Sequence, residues 1–316
     1  SNFIGHAGSP MLFFAIFILL TAVVVMLGVQ KGVEKVSKLM MPVLLILIVG
    51  ISIYTLTLPG AIDGLIYYVK PDFNQFSIKT VIAAVGQLFY SMSLAMGIMI
   101  TYGSYMRKED NIESSVRQIE VFDTLVAFLS GLIIVPAVFV FSGGDENALN
   151  AGPSLMFITL PNVFKEMLGG QIVGAVFFLL VVLAAMTSSI SLMETVVSIV
   201  EERFHWKRIP SCLIVTGISF LIGLLSVFGY SIWSDFTIFH MQFLDFFDYI
   251  SNNIMMPIVA LMTCVLVGFV VKTTFVEDEI EKNTRFRAKG LYRVMIKFIC
   301  PICMLLILFS ALFLKL

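Results

Sequence analysis

The sequence predicts an all-α polytopic membrane protein, on the evidence of its composition, its long uncharged runs and the distribution of its cations. Of the 316 residues, 59% are hydrophobic and 13% are charged, and the mean hydropathy is +1.00. An average soluble domain is about a quarter charged, so the charge here is roughly halved. The net charge is −1, without the basic excess of a nucleic-acid-binding protein. These values exclude a soluble enzyme, a disordered chain and a nucleic-acid partner.

Eight stretches of the chain contain no Asp, Glu, Lys or Arg. They are residues 11–29, 39–59, 80–106, 124–144, 167–193, 209–234, 249–271 and 298–314. The hydrocarbon core of a bilayer is about 30 Å thick, and a helix crosses it with about 20 residues. Each stretch is therefore predicted to form one transmembrane helix.

The loops between these runs predict the orientation, because Lys and Arg concentrate on the cytoplasmic side of a membrane. Alternate loops hold sixteen Lys and Arg in one set and four in the other. The richer set is placed inside, so both chain ends lie outside. Within that set, the charged stretch 272–297 is expected to be a solvated linker. The chain starts without Met or a charged leader, and we expect an odd number of preceding spans in a longer protein. A complete protein with a translocated N-terminus is the alternative.

Polar side chains at membrane depth need a partner or a function, because they are costly in hydrocarbon. The third run carries Gln87, Tyr90, Ser91 and Ser93 near its middle, followed by Gly97. Ser and Gly favour a break in the helix, and a broken helix exposes backbone groups that can hold an ion or a zwitterion. Small residues at a helix–helix contact are the alternative, and the composition does not choose between the two.

The fifth run carries a polar face, since Ala184, Thr187, Ser188 and Ser191 are spaced by three and four residues. Hydroxyl oxygens of Thr187 and Ser188 are suitable ligands for a hard cation such as Na⁺. A Ser/Thr packing seam between helices is the alternative. Glu194 follows this run and is expected to bond a neighbouring helix or a loop.

Two further positions hold acids at the edges of runs. Asp123 opens the fourth run and is interpreted as a buried cation ligand, proton carrier or ion-pair partner. Asp248 lies at the outer start of the seventh run and is either solvated or part of a gate. No catalytic motif and no charged pore ring are visible, so neither an enzyme nor a channel is predicted.

Three segments carry a resemblance to the neurotransmitter:sodium symporter family. Residues 85–97 (VGQLFYSMSLAMG), with ITYGSY at 100–105, resemble its sixth helix, and AAMTSSI at 184–190 resembles its eighth. GPSL at 152–155 and FITLP at 157–161 resemble its fourth outer loop. The order and spacing agree, so the chain is identified as a bacterial member. It looks like helices four to eleven of an eleven-helix protein, with the first three missing.

The resemblance implies a five-plus-five inverted-repeat, leucine-transporter-like fold, incomplete at the N-terminus. Residues 1–316 would then form a single transmembrane domain. Within it, 1–61 are the remnant of the first repeat with two helices, 80–271 are the second repeat with five, and 272–316 are a linker and the final helix.

The resemblance also implies sodium-coupled uptake of an amino acid or related small zwitterion, by alternating access across the bacterial inner membrane. The substrate-binding residues that it implies are Tyr90, Ser93, Met96, Ser188 and Leu192. Met96 stands where the family often has Phe. With Leu192 it suggests an apolar or aromatic substrate side chain.

Two sodium sites are implied for the full-length protein, incomplete in this chain. Ser91 and Asp123 would serve the first, and the Ala184 carbonyl, Thr187 and Ser188 the second. An Asp at position 123 implies that chloride is not required.

An outer gate is implied at Gln87 and Asp248, with an arginine partner from the family's first helix. Ala95 replaces a usual Gly in the unwound stretch, which leaves the position of the break open. Because the family's first helix supplies much of the site, we expect that this chain alone does not transport. The alternative function is a non-transporting membrane remnant, or a partner of a full-length homologous subunit.

Overall fold

Helices form nearly all of the regular structure in a computed structural model of the chain, which describes residues 8–71, 73, 76–142, 155–233 and 235–314. The helices are α1 (Gly8–Met26), α2 (Val29–Leu56), α3 (Ala61–Val69), α4 (Ile78–Ser91), α5 (Ile98–Ser104), α6 (Ile112–Phe141), α7 (Leu160–Glu166), α8 (Gly170–Phe204), α9 (Arg208–Gly229), α10 (Phe243–Val270), α11 (Thr273–Glu281) and α12 (Lys289–Leu312). Within the described residues, the single β pairing is an isolated bridge between Ile238 and Met241.

Seven of these helices are long and apolar enough to cross a membrane, namely α1, α2, α6, α8, α9, α10 and α12. They coincide with seven of the eight uncharged runs and confirm an all-α, multi-pass membrane protein. The third run, 80–106, does not form one continuous helix, and the break is one of the two alternatives that its composition left open. That run holds α4, of 14 residues, and α5, of 7. At 1.5 Å per residue they extend about 21 and 10 Å, so neither alone crosses the hydrocarbon core.

Several helices continue past the uncharged runs that predicted them. α6 begins at Ile112, so Asp123 lies within the helix and does not open it. α8 continues to Phe204 and includes Glu194. The stretch 272–297, expected to be a solvated linker, contains α11 and the start of α12. Charge marks where a segment leaves hydrocarbon, whereas helical hydrogen bonding continues into water.

Three prolines follow directly on π-helical turns. The turns Leu155–Thr159, Tyr249–Met255 and Met295–Ile299 each end two residues before a proline, at Pro161, Pro257 and Pro301. A proline has no N–H for the bond to residue i−4, and its ring clashes with that carbonyl. The wider turn, with its i→i+5 bonds, lets the helix continue through each proline.

The chain divides into two compact units. The first contains Ser1–Gly28, Ser77–Ile119 and Ile190–Leu316, and the second contains Val29–Phe76 and Glu120–Ser189. In the first unit α1 packs on α9, where the rings of Phe14 and Phe220 stack at 5.5 Å. α10 packs on α12 in the same unit.

The core of the second unit joins α2, α6, α7 and the first half of α8. Its buried side chains include Ile48, Ile133, Leu160 and Phe177. α3 lies so close to α6 that a Cβ added at Gly64 would be 2.7 Å from the Cα of Pro136. A larger residue at position 64 would therefore push these two helices apart.

Candidate functional site

The break in the third run is formed by residues 92–97, between the end of α4 and the start of α5. Ser93, Ala95 and Gly97 have φ angles of 54°, 63° and 80°. The amide of Ser93 donates to the carbonyl of Tyr90, and that of Leu94 to Phe89, both at 3.0 Å. A left-handed conformation costs a non-glycine residue about 1–2 kcal/mol. Ser93 and Ala95 both bear this cost. The break forms even though position 95 holds Ala, where the resemblance implies Gly.

Three of the five predicted substrate residues lie at or beside this break, and the other two lie on α8. Ser93 and Met96 lie within it and are half-buried, whereas Tyr90, in the last turn of α4, is exposed. In the same unit, Leu192 of α8 is also exposed. Ser188 belongs to the second unit and is exposed.

The two predicted gate residues, Gln87 and Asp248, line one cavity of the first unit. The cavity has a volume of about 490 Å³ and also includes Tyr90. Its walls come from α4, α10 and α12, with Lys79 and Asn252 among the polar side chains. Asn252 Nδ2 donates to Asp248 Oδ1 at 2.6 Å, which fixes this carboxylate along α10.

Oxygen atoms of the predicted second sodium site lie together on α8. The hydroxyl of Thr187 donates to the carbonyl of Ala184 at 2.9 Å, and Thr187 is buried. Both oxygens are neutral and hard, and Thr187 Oγ1 keeps lone pairs while it donates. This donor set fits Na⁺, which takes oxygen ligands as Ca²⁺ does. Ala184, Thr187 and Ser188 are the residues that would hold the ion in the second unit.

The residues predicted for the first sodium site lie in different units of the chain. Ser91 is the last residue of α4, in the first unit, and its side chain is exposed. Asp123 lies in α6, in the second unit, and is half-buried.

Glu194, which was expected to bond a neighbouring helix or a loop, bonds Arg208 of α9 in an ion cluster within the first unit. Glu194 is fully buried, and its carboxylate accepts from both terminal nitrogens of Arg208. It also accepts from the hydroxyl of Tyr105 at 2.8 Å. Arg208 Nε donates to the carbonyl of Val25 at 2.9 Å, and Nη1 donates to Glu201 at 3.3 Å. The cluster therefore connects α8, α9, the end of α1 and the residue after α5.

A second bond joins α5 to α8, since Tyr102 Oη donates to Ser191 Oγ at 2.7 Å. Two features of the sequence could have indicated the cluster. Glu194 is an acid placed directly after an uncharged run, and Arg208 follows the same helix at its inner end. An acid at that depth requires a cation, and Arg208 lies 14 residues further along the chain.

A discontinuous helix among long apolar spans is typical of one class of protein, the multi-pass secondary transporters. The Sodium:neurotransmitter symporter family matches residues 1–315 of the chain. The chain belongs to this family. It is a family of transporters, in agreement with the prediction that the chain is not an enzyme.

Similar proteins support the same assignment. An uncharacterized sodium-dependent transporter of Haemophilus influenzae is 33% identical over 98% of this chain and 67% of its own length. The sodium-dependent transporter YhdH of Bacillus subtilis is 31% identical over 92% of this chain and 64% of its own length. The crystal structure of MhsT in complex with L-phenylalanine has a TM-score of 0.86 at 32% identity, covering 98% of this chain and 70% of MhsT.

The chain thus spans about two thirds of the length of these relatives. The Sodium-dependent nutrient amino acid transporter 1 of Drosophila grimshawi is 25% identical, and the chain covers 47% of it. The leucine-transporter-like fold is confirmed by the match to MhsT. That the chain starts at the family's fourth helix stays a prediction.

Proposed function

We propose that the chain belongs to a sodium-coupled symporter for an amino acid or a related small zwitterion. The observation that carries this proposal is the break at residues 92–97 in a chain that matches the family from 1 to 315. Backbone groups freed from helical bonding can contact both a zwitterion and a cation at the bilayer midplane. The names of the relatives, which are sodium-dependent transporters and a nutrient amino acid transporter, support the substrate class.

Substrate would contact the break and one face of α8. The break and the last turn of α4 would contribute Tyr90, Ser93 and Met96 to this contact. α8 would contribute Ser188 and Leu192. Met96 and Leu192 offer apolar surface to its side chain, so we propose an apolar or aromatic amino acid. MhsT, crystallised with L-phenylalanine, is similar over nearly the whole chain and supports this choice.

Two sodium ions would bind beside the substrate. Ser91 and Asp123 would hold the first, and the Ala184 carbonyl, Thr187 and Ser188 the second. The Asp123 carboxylate would supply the negative charge near the first ion, and transport would not require chloride. Gln87 and Asp248 would act at the outer gate, since they line one cavity.

The protein would lie in the inner membrane of a bacterium, with the cation-rich loops in the cytoplasm. The experiment uses a chimera in which the part of the Haemophilus influenzae relative that this chain does not cover is joined to this chain. Uptake of radiolabelled L-phenylalanine into proteoliposomes is measured in sodium and in choline. We expect accumulation only in sodium.

Thr187→Val should reduce this uptake at least about tenfold, because it removes a sodium ligand while keeping the side-chain volume. Ser189→Ala is the matched control, since Ser189 is adjacent on α8 and bonds the Met186 carbonyl outside the proposed set. A folded chimera that accumulates substrate equally in choline would contradict sodium coupling. The chain alone is assayed in parallel, and sodium-dependent accumulation by it would contradict the expectation that it cannot transport by itself.

A further inference from the structure

The segment that leads into α12 is strongly cationic. Residues 282–297 contain six Lys and Arg and no acid. Three of these cations pair with acids of α11, at Lys282–Glu279, Lys289–Glu281 and Arg293–Glu277. Arg285 and Arg287 form no ion pair with any residue that the structure describes. The turn between α11 and α12 therefore carries two guanidinium groups whose charge is not neutralised by the protein.

These two arginines surround a cavity of about 550 Å³. Its lining consists of Glu281, Arg285, Phe286, Arg287 and Lys289. Arg285 and Arg287 are exposed, whereas Phe286 between them is half-buried, with its ring edge-on to Tyr292 at 5.7 Å. The carboxylate of Glu281 accepts from Lys289 Nζ at 2.6 Å. With the acid paired, the cavity carries a net positive charge.

The turn is held in place by bonds to another part of the first unit. Asn283 Nδ2 donates to the carbonyl of Lys108 at 2.6 Å and to that of Asp110 at 2.9 Å. A turn fixed in this way loses less conformational freedom when it binds a ligand. The two arginines are therefore presented from an ordered backbone.

Apolar surface adjoins the cationic cavity at the start of α12. Leu291, Val294 and Phe298 are 65%, 47% and 58% exposed. Phe298 begins the uncharged run of α12, and Val294 and Leu291 lie four and seven residues before it along the same helix. A phospholipid can place its phosphate in the cationic cavity and its acyl chain on the apolar side chains of α12. A free phosphate would contact only the cavity. Basic groups at the cytoplasmic end of a span attract anionic lipids.

We propose that the turn 282–288 binds the headgroup of an anionic phospholipid, with the phosphate at Arg285 and Arg287 and the acyl chains along Leu291 and Val294. Guanidinium groups suit this role because they bond phosphate oxygens in a bidentate manner. The inference uses the proposed cytoplasmic placement of 272–297 but does not depend on sodium coupling.

The test measures the affinity of the purified full chain for phosphatidylglycerol and for zwitterionic phosphatidylcholine, by native mass spectrometry from detergent. We expect a preference for phosphatidylglycerol. Each interfacial cation contributes about fivefold, so Arg285→Gln with Arg287→Gln should weaken this affinity about twenty- to thirtyfold. The affinity for phosphatidylcholine should stay the same.

The matched control is Arg203→Gln with Lys207→Gln, which makes the same charge change at exposed residues beyond the turn. It should alter the affinity less than about twofold. An equal loss in this control, or equal binding of both lipids by the unmodified chain, would overturn the proposal. So would displacement of phosphatidylglycerol by millimolar inorganic phosphate, since the site would then take the free ion.

If the double variant does not give a single species on size exclusion, Arg285→Gln and Arg287→Gln are measured separately. Each should then weaken phosphatidylglycerol binding about fivefold. Two folded single variants with unchanged affinity would also overturn the proposal.

Discussion

Arg208 and Glu194 form an ion pair in which two guanidinium nitrogens bond both carboxylate oxygens, with Glu194 fully buried and Arg208 half-buried. The same guanidinium donates to the carbonyl of Val25, in the last turn of α1. The last carbonyls of a helix have no partner within it and carry partial negative charge, so a cation there stabilises the helix end. Arg208 thus neutralises a buried acid and caps a neighbouring helix.

Arg208→Gln should lower the free energy of unfolding by about 3–5 kcal/mol, because Glu194 would be left buried without its cation. Glu194→Gln should have a smaller effect, since Arg208 keeps its bonds to Glu201 and Val25. The double variant should be less destabilised than the sum of the two, by about 1–3 kcal/mol. Thermal unfolding in detergent measures all three, with exposed Arg203→Gln as the control. Strict additivity would contradict a direct coupling of the pair.

Gly97→Ala should destabilise the protein by about 1–2 kcal/mol, because its φ of +80° is unfavourable for a side chain. The added Cβ would also lie 3.0 Å from Thr195 Cγ2, so this methyl group would have to give by a few tenths of an ångström. Gly103→Ala is the matched control, because Gly103 lies in the same helix α5 and a Cβ added there would have no atom within 4 Å. It should be neutral or stabilising by up to about 1 kcal/mol. Equal melting temperatures for the two variants would count against the break as described.

Glu277 should make stability depend on pH in the acid range. Its side chain is 2% exposed, and the bidentate bonds from Arg293 hold the pKa of its carboxyl below the ordinary 4.5, although burial opposes this. The stabilisation is complete above pH 4.5 and is lost as the pH falls through the lowered pKa. Glu277→Gln should therefore lower the melting temperature at pH 7, and the difference from the unmodified chain should shrink in acid.

The melting temperature is measured between pH 7 and the acid limit of the detergent preparation. Asp278→Asn, at the exposed neighbour, should follow the unmodified chain throughout. A constant difference between Glu277→Gln and the unmodified chain at every pH would exclude the carboxylate as the titrating group.

Asp123 should determine whether the chimera described above needs chloride. Replacing chloride with gluconate should leave sodium-dependent uptake unchanged while the carboxylate is present. Asp123→Asn should lower uptake in gluconate about tenfold, equivalent to about 1.4 kcal/mol, and chloride should partly restore it. Glu120→Gln, at an exposed position of the same helix, serves as the control. Uptake that Asp123→Asn does not alter in either salt would remove this residue from the first sodium site.

The sequence predicted the membrane-spanning helices well, because hydrocarbon admits only uncharged segments of sufficient length. For the third run the composition left a break and a packing contact open, and the structure shows the break near Ser93. The resemblance implied Gln87 as a gate residue, and that role stays a prediction. The sequence did not predict that Arg208 pairs with Glu194. That contact depends on how α8 and α9 turn back on each other, and the spacing of residues along one helix carries no information about it.

The π-helical turns that precede Pro257 and Pro301 also affect how these helices tolerate deletion. Such a turn holds one residue more than a regular turn, and α10 and α12 both line the cavity that includes Gln87 and Asp248. Deleting one residue from Tyr249–Met255 would leave a regular turn and keep the flanking side chains on their original faces, at the cost of the clash between Pro257 and the carbonyl four residues before it. The same deletion elsewhere in α10 would rotate everything beyond it by about 100°. The length of this helix can therefore vary by one residue at that turn while Asp248 and Met256 still face the same cavity.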